Sequence, residues 1–269
     1  GANDRLIERP QVNDGKIKEL LKDLNFSRGF YVTSFHSNTS GGVPIGALDH
    51  LGQKAEGDPL WRLAQWGCAL NILDGETGRN GTIISYDDGS KILRFDATKT
   101  GSIALGIKGS LEYGKDEEGE YLDRVSPTQN WPHILIEQSL GGVLIGNCTR
   151  FMMEIEYTVT QFERLVKSDP DPNLHAAQYQ WFITLTNSNP FSESYRETMW
   201  FGFNMFDSRY IDKCPPAFAA YDGGKEDSTG LFIYMFGLDT VDLEKTYNHV
   251  DKPTSVTDKR IKISVDILP

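Results

Sequence analysis

His133 and Glu137, in the stretch NWPHILIEQSL, have the side chains most often used for general acid and base catalysis. If this stretch is a β-strand, residues four apart point to the same side of the sheet. The two side chains would then lie about 13 Å apart on one face, too far to touch. They could still line one site for a long, polymeric ligand.

Glu154 and Glu156, in FMMEIEYTV, form a carboxylate pair two residues apart. On a strand their Cα atoms would be about 6.5–7 Å apart on one face, and retaining glycosidases use carboxyl groups about 5–5.5 Å apart. Charged residues are mostly exposed, so a solvated strand face explains the same pair. Both interpretations stay open.

The two strands predicted over residues 177–187 and 199–207 each combine an apolar face with a mixed aromatic and amide face. A pyranose packs its C–H face on an aromatic ring and shares hydrogen bonds with amide, imidazole and carboxylate groups. Mutually satisfied polar groups beneath a second layer would produce the same composition. The sugar hypothesis assigns Trp200 and Phe182 as aromatic platforms and Gln180, Asn204, His133 and Glu137 as hydroxyl partners.

Other catalytic and metal motifs are missing from the sequence. It has no GxSxG, HExxH or P-loop. Its three cysteines, Cys68, Cys148 and Cys214, form no CxxC pair and no Cys/His cluster, so we expect no metal and no cofactor. Asp207 and Arg209, just after a strand, are more typical of a structural clamp on a loop.

Charge and hydropathy exclude two classes of partner. The net charge is −11 and the pI is near 4.9, which argues against a nucleic-acid surface because phosphate binding needs clustered Lys and Arg. No run of 18 apolar residues is present, so we expect no membrane span. The chain begins with Gly rather than Met, and we expect a leader to have been removed.

The elements that must position these residues are mostly strands. β-Branched and aromatic runs separated by Gly, Asp and Asn predict nine to eleven strands, including a hairpin with its turn at residues 87–89. Apolar spacing predicts a helix over 13–25, and Asp58-Pro59 followed by Gly67 predicts a second, short one. With few helices between strands, we predict a single all-β domain over 1–269, an antiparallel β-sandwich.

Three segments within this long antiparallel pattern, NWPHILIEQ, QYQWFITLTN and MWFGFNMFDSRY, resemble the concanavalin A-like jelly rolls. That superfamily includes lectins, glucanases and secreted proteins of polysaccharide-degrading bacteria, so the resemblance implies a jelly-roll fold and a sugar ligand. The glucanase signature Glu-x-Asp-x-x-Glu is absent. Its nearest match, MEIEYTVTQFE, has Glu156 in place of Asp and Val159 in place of the second Glu, so no catalytic assignment carries over.

Three functions follow from these observations. The first is a carbohydrate-binding β-sandwich, with an oligo- or polysaccharide as partner, in a secreted, periplasmic or cell-surface bacterial system. The second is a glycoside hydrolase or polysaccharide lyase on the same scaffold, with Glu137 or the Glu154/Glu156 pair as acid and base and His133 assisting. The third is a structural module without a small ligand. A carboxyl group of raised pKa favours the enzyme, and exposed aromatic rings favour the lectin.

Overall fold

The computed structural model describes residues 17–36, 42–49, 57–211, 214–237 and 260–268. This part of the chain is all-β, as predicted, and its only helices are four single 3-10 turns. None of these helices is long or apolar enough to span a bilayer. The fourteen strands, in chain order, are β1 Phe30–Thr33, β2 Pro44–Leu48, β3 Trp61–Ala64, β4 Glu76–Asn80, β5 Ile83–Asp87, β6 Lys91–Asp96, β7 Ile103–Ile107, β8 Leu135–Gln138, β9 Met152–Thr158, β10 Gln178–Thr186, β11 Thr198–Asp207, β12 Phe218–Tyr221, β13 Phe232–Gly237 and β14 Arg260–Asp266.

Two four-stranded sheets form the first half of the fold. One has the order β2-β1-β3-β8 and the other is the meander β4-β5-β6-β7. Phe30 and Leu63 from the first sheet, and Ile84 and Leu93 from the second, are fully buried in one hydrophobic cluster. Because side chains alternate along a strand, burying every second residue from both sheets produces a sandwich.

The second half repeats this arrangement with a different topology. A sheet of order β10-β11-β13-β12 faces the two-stranded sheet β14-β9. Phe203 from β11, Met153 from β9 and Ile263 from β14 belong to a second hydrophobic cluster. Most strand pairs are antiparallel, as predicted, but β1–β3 and β11–β13 are parallel. That the two clusters form a single domain stays a prediction.

Most predicted strands are confirmed, including the β5–β6 hairpin around its Asp-Asp-Gly turn, but the described residues form fourteen strands and not nine to eleven. The short helix predicted at residues 58–66 is wrong, because residues 61–64 form β3. Trp61 and Leu63 enter the core, and Arg62 between them points to the other face. The spacing of such a short apolar run fits both the period of a helix and the period of a strand. Here the segment is a strand because it pairs with β1 and β8.

The predicted helix over 13–25 is also wrong where it can be checked. Residues 13–16 lie outside the described residues, and residues 17–25 contain no helix. Side chains of the first sheet bond this segment's backbone instead: the Trp61 indole donates to the carbonyls of Lys22 (3.1 Å) and Asp23 (2.9 Å). Gln138 both donates to and accepts from the Lys22 backbone, at 2.8 Å each. These long-range bonds replace the helical ladder.

A β-bulge in the β10–β11 pair changes the predicted faces of β11. Tyr179 pairs with Phe206, whereas Gln180 pairs with Asn204, so Met205 is the extra residue. Simple alternation would place Phe206 on the face of Trp200. The bulge instead directs Phe206 into the second core, where its ring lies 5.8 Å from that of Tyr179.

Candidate functional site

Four aromatic side chains from both halves of the fold meet in one continuous line. The ring centroids of Phe182 and Trp200 are 5.4 Å apart, and Trp200 stacks on Trp66 at 6.2 Å with an interplanar angle of 11°. Trp66 in turn contacts the imidazole of His133 at 6.4 Å, edge to face. We call these four residues the aromatic row. Phe182, Trp200 and Trp66 are half-buried, and His133 is exposed.

The pairing of β3 with β8 places His133 beside Trp66. The His133 backbone N–H donates to the Trp66 carbonyl at 2.9 Å, and its Nδ1 lies 3.2 Å from the same oxygen. Gly67 follows with a φ of +68°, and a Cβ there would lie 2.5 Å from the Trp131 carbonyl oxygen. A residue with a side chain would therefore be strained and would clash at this corner, so glycine fixes the position of Trp66.

The segment that leads into His133 is held by a buried arginine. Arg124 is 3% exposed and donates to the carbonyls of Gln129 at 2.7 Å and Pro127 at 3.0 Å. Its guanidinium also lies 4.4 Å from the centre of the Trp131 ring. Since its partners are backbone carbonyls and an aromatic face, Arg124 stabilises the loop and offers little for binding a ligand.

His133 and Glu137 lie on one face of the first sheet, as the alternation predicts. Ile134 and Ile136 pack on the opposite side against the first core. This confirms the prediction that these two residues face the core. Glu137 stands opposite Arg62 in register, and the two form an ion pair at 3.1 Å. His133 and Glu137 thus belong to one surface without forming a direct couple.

The pKa values of these two groups are both perturbed. Partial burial raises the pKa of Glu137, and the Arg62 guanidinium opposes that shift. The pKa of His133 is lowered, first by desolvation and then by the nearby Lys225 ammonium.

A loop over residues 222–230 lies beside the segment that leads into His133, where the Asp227 backbone N–H donates to Asn130 Oδ1 at 3.0 Å. Lys225 Nζ lies 2.6 Å from Asp222 Oδ1, and Asp222 Oδ2 accepts from the Thr229 backbone (2.9 Å) and hydroxyl (2.7 Å). Asp227 Oδ2 lies 3.4 Å from Nδ1 of His36, which follows the end of β1 by three residues. The sequence analysis missed this loop, although an Asp and a Lys three apart in a Gly-rich turn were a signal.

Of the two predicted amide ligands, Asn204 is 1% exposed. Its Nδ2 donates to the Pro216 carbonyl at 3.4 Å, whereas its Oδ1 has no hydrogen-bond partner within the described residues. Gln180 is half-buried and stands opposite Asn204 in the β10–β11 register. Both therefore share the sheet face of Trp200 and Phe182, but Asn204 lies beneath the surface.

Glu154 and Glu156 lie elsewhere, on the exposed face of β9. Glu154 accepts from the Ser264 hydroxyl at 2.7 Å, and Glu156 forms an ion pair with Arg260. The other face of β9 packs in the second core, against the side of the β10–β11 sheet opposite Trp200. The structure therefore separates this pair from the aromatic row and gives it the surroundings of a solvated strand face.

Asp207 and Arg209 form the structural clamp that their sequence position predicts. Asp207 Oδ1 accepts from Arg209 Nε at 2.8 Å, and Oδ2 accepts from Gln178 Nε2 at 2.8 Å. Asp207 is 1% exposed, and these bonds, with those from the Arg209 backbone, hold its pKa below the usual value despite burial. The pair thereby fixes the turn that ends β11.

A buried ionic cluster lies next to a cavity of about 480 Å³ in the first half of the fold. Lys91 is fully buried, with Nζ 2.7 Å from Asp88 Oδ2 and 2.9 Å from Glu112 Oε1. Burial alone would lower the pKa of Lys91, but its hydrogen bonds to the Asp88 and Glu112 carboxylates outweigh burial and raise it. The ammonium stays charged and paired, and the sequence analysis did not identify it. The cavity is lined by Phe35, Ala69, Leu70, Asn71, Asp74 and Asp88.

The described ranges contain no group of three or more His, Cys, Asp or Glu side chains placed to hold a metal ion. No protein-family model matches the chain, and comparisons with curated proteins and with solved structures give no match.

Proposed function

We propose that this protein is a carbohydrate-binding β-sandwich that uses the aromatic row to hold an oligo- or polysaccharide. The observation that carries the proposal is the continuous, half-exposed line of Phe182, Trp200 and Trp66, which ends at the exposed imidazole of His133. Aromatic rings that keep part of their surface exposed suit the C–H surfaces of sugar rings, and an imidazole can exchange hydrogen bonds with hydroxyls.

The polar surroundings fit the same ligand class. Arg62 and Glu137 lie about 13 Å along the strands from Trp66 and His133, on the same sheet face. An extended surface with a few polar groups at intervals suits a chain of sugar units better than a compact metabolite. Gln180 offers a further amide near the other end of the row.

The finer features of this proposal depend on the sequence. The resemblance of NWPHILIEQ, QYQWFITLTN and MWFGFNMFDSRY to concanavalin A-like jelly rolls supports a lectin-like role. The same resemblance supports a secreted or surface location in a bacterial polysaccharide-handling system. A structural module without a small ligand is the outcome if no glycan binds.

The second candidate is a glycoside hydrolase or polysaccharide lyase, and one observation favours it. Glu137 is a partly buried carboxyl group of raised pKa on the face that carries His133, which is the pattern expected of an acid–base residue. Against it, the Arg62 ion pair favours the ionised carboxylate. Product release that is lost in Glu137→Gln would support the enzyme.

The test is retention of the protein on a panel of immobilised plant, algal and host polysaccharides, scored also for released oligosaccharides. We expect Trp200→Ala to weaken retention by ~10-fold or more, the scale seen when a stacking aromatic is removed. Phe191→Ala is the matched control, because Phe191 is 94% exposed at the β10–β11 connection and lies outside the row. Equal effects of the two substitutions, or no retention by any polysaccharide, would refute the proposal.

A further inference from the structure

Two cations on the surface that carries the aromatic row are already paired with carboxylates. They are Arg62, which lies 3.1 Å from Glu137, and Lys225, which lies 2.6 Å from Asp222. Proteins recognise carboxylate and sulfate groups through Arg and Lys donors that point at the ligand. Here the donors of Arg62 and Lys225 point at protein carboxylates, so an anionic ligand would have to compete with them.

The Lys225 pair is anchored more firmly than a simple surface contact. Asp222 is 6% exposed and also accepts from both the backbone and the hydroxyl of Thr229. These bonds lower the pKa of Asp222 despite its burial, so the carboxylate stays charged at neutral pH. Releasing Lys225 to an incoming anion would leave that buried carboxylate without its cation, which is unfavourable.

The net charge of the chain also disfavours an anionic ligand. At −11, it adds a long-range field that repels polymers of the same sign.

We infer that the ligand of the aromatic row is an uncharged polysaccharide, and that polymers of uronic acids or sulfated sugars bind poorly. This inference rests on the proposed carbohydrate-binding function and specifies its ligand class. The paired cations and the net negative charge each disfavour an anion, whereas neither of them disfavours a neutral sugar hydroxyl.

The test compares polymers that differ only in charge. Polygalacturonate and alginate are immobilised beside their carboxyl-reduced forms, together with neutral glucan, xylan and mannan and a sulfated galactan. We expect the tightest binder to be neutral and each reduced polymer to be retained at least ~10-fold more tightly than its parent. If an anionic polymer is the tightest binder, the inference is wrong while carbohydrate binding stands. If nothing in the set is retained, both proposals fail.

A pair of conservative substitutions tests the reason for the preference. Glu137→Gln releases Arg62 on the sheet face of the row, and we expect the ratio of retention on polygalacturonate to retention on its reduced form to rise several-fold. Glu156→Gln releases Arg260 in the same way on the exposed face of β9, where no gain is expected. No gain in the first variant, or an equal gain in both, would overturn the role of the ion pairs.

Discussion

Replacing Lys91 by Met tests whether the buried ionic cluster holds the first half of the fold together. The side chains of Lys91 and Glu112 are fully buried and that of Asp88 is 4% exposed. Removing the ammonium leaves two carboxylates in the interior, and breaking a buried ion pair costs about 3–5 kcal/mol. After the substitution Glu112 Oε2 still accepts hydrogen bonds from the backbone N–H groups of Ala69 and Leu70, at 2.6 and 2.9 Å. We therefore expect a loss of stability in the lower part of that range.

We therefore expect Lys91→Met to lower the free energy of unfolding by about 3–4 kcal/mol. At ~2 °C per kcal/mol for a chain of this length, the melting temperature should fall by ~6–8 °C. The assay is urea denaturation followed by tryptophan fluorescence, with thermal unfolding followed by circular dichroism. Lys99→Met is the matched control, because Lys99 has the same i,i+3 spacing to Asp96 but is 70% exposed, and it should change neither quantity measurably.

A double variant separates the charge effect from a packing effect. In Lys91→Met with Glu112→Gln one of the two stranded carboxylates is neutral, so part of the lost stability should return. The reasoning would be refuted if Lys91→Met were as mild as Lys99→Met. It would also be refuted if the double variant were less stable than Lys91→Met alone, because the carboxylate would then not be the source of the loss.

Three further predictions follow from individual residues. Burial, together with the nearby Glu112 charge, raises the pKa of Cys68 to about 12. At pH 8 a maleimide should therefore label Cys148 and Cys214 first, and Cys68 only after unfolding. Labelling of Cys68 in the native protein at a comparable rate would contradict this prediction. The pKa of Glu137 is raised, so the folded state binds the carboxyl proton more tightly than the unfolded state does. This proton binding stabilises the fold below the usual pKa of 4.5, and the stabilisation is lost as the pH rises through the folded-state pKa. Glu137→Gln should therefore gain stability relative to wild type between pH 4 and pH 7.5 in denaturant titrations, and a relative loss would mean that the arginine partner dominates. Gly67→Ala should lower the free energy of unfolding by about 1–3 kcal/mol in the same titrations, because Gly67 combines a positive φ with a close backbone contact. An unchanged free energy of unfolding would contradict the predicted clash.

Local periodicity was sufficient to predict most strands. The alternation that buries Ile134 and Ile136, and the Asp-Asp-Gly turn between β5 and β6, both lie within a few residues. The same local rules failed at residues 17–25 and 58–66, where hydrogen-bond partners more than thirty residues away decide the conformation. A one-residue bulge likewise moved Phe206 to the other side of its sheet.

The candidate site was predictable only in part for the same reason. The sequence alone determined an all-β chain of acidic charge, and alternation along β8, β10 and β11 identified His133, Phe182 and Trp200 as members of mixed faces. Only the tertiary structure brought Trp66 between Trp200 and His133, excluded Glu154 and Glu156 from that surface, and enclosed Lys91 with two carboxylates. These outcomes depend on how separate sheets pack and on which charges that packing buries, and no pattern within one strand encodes either.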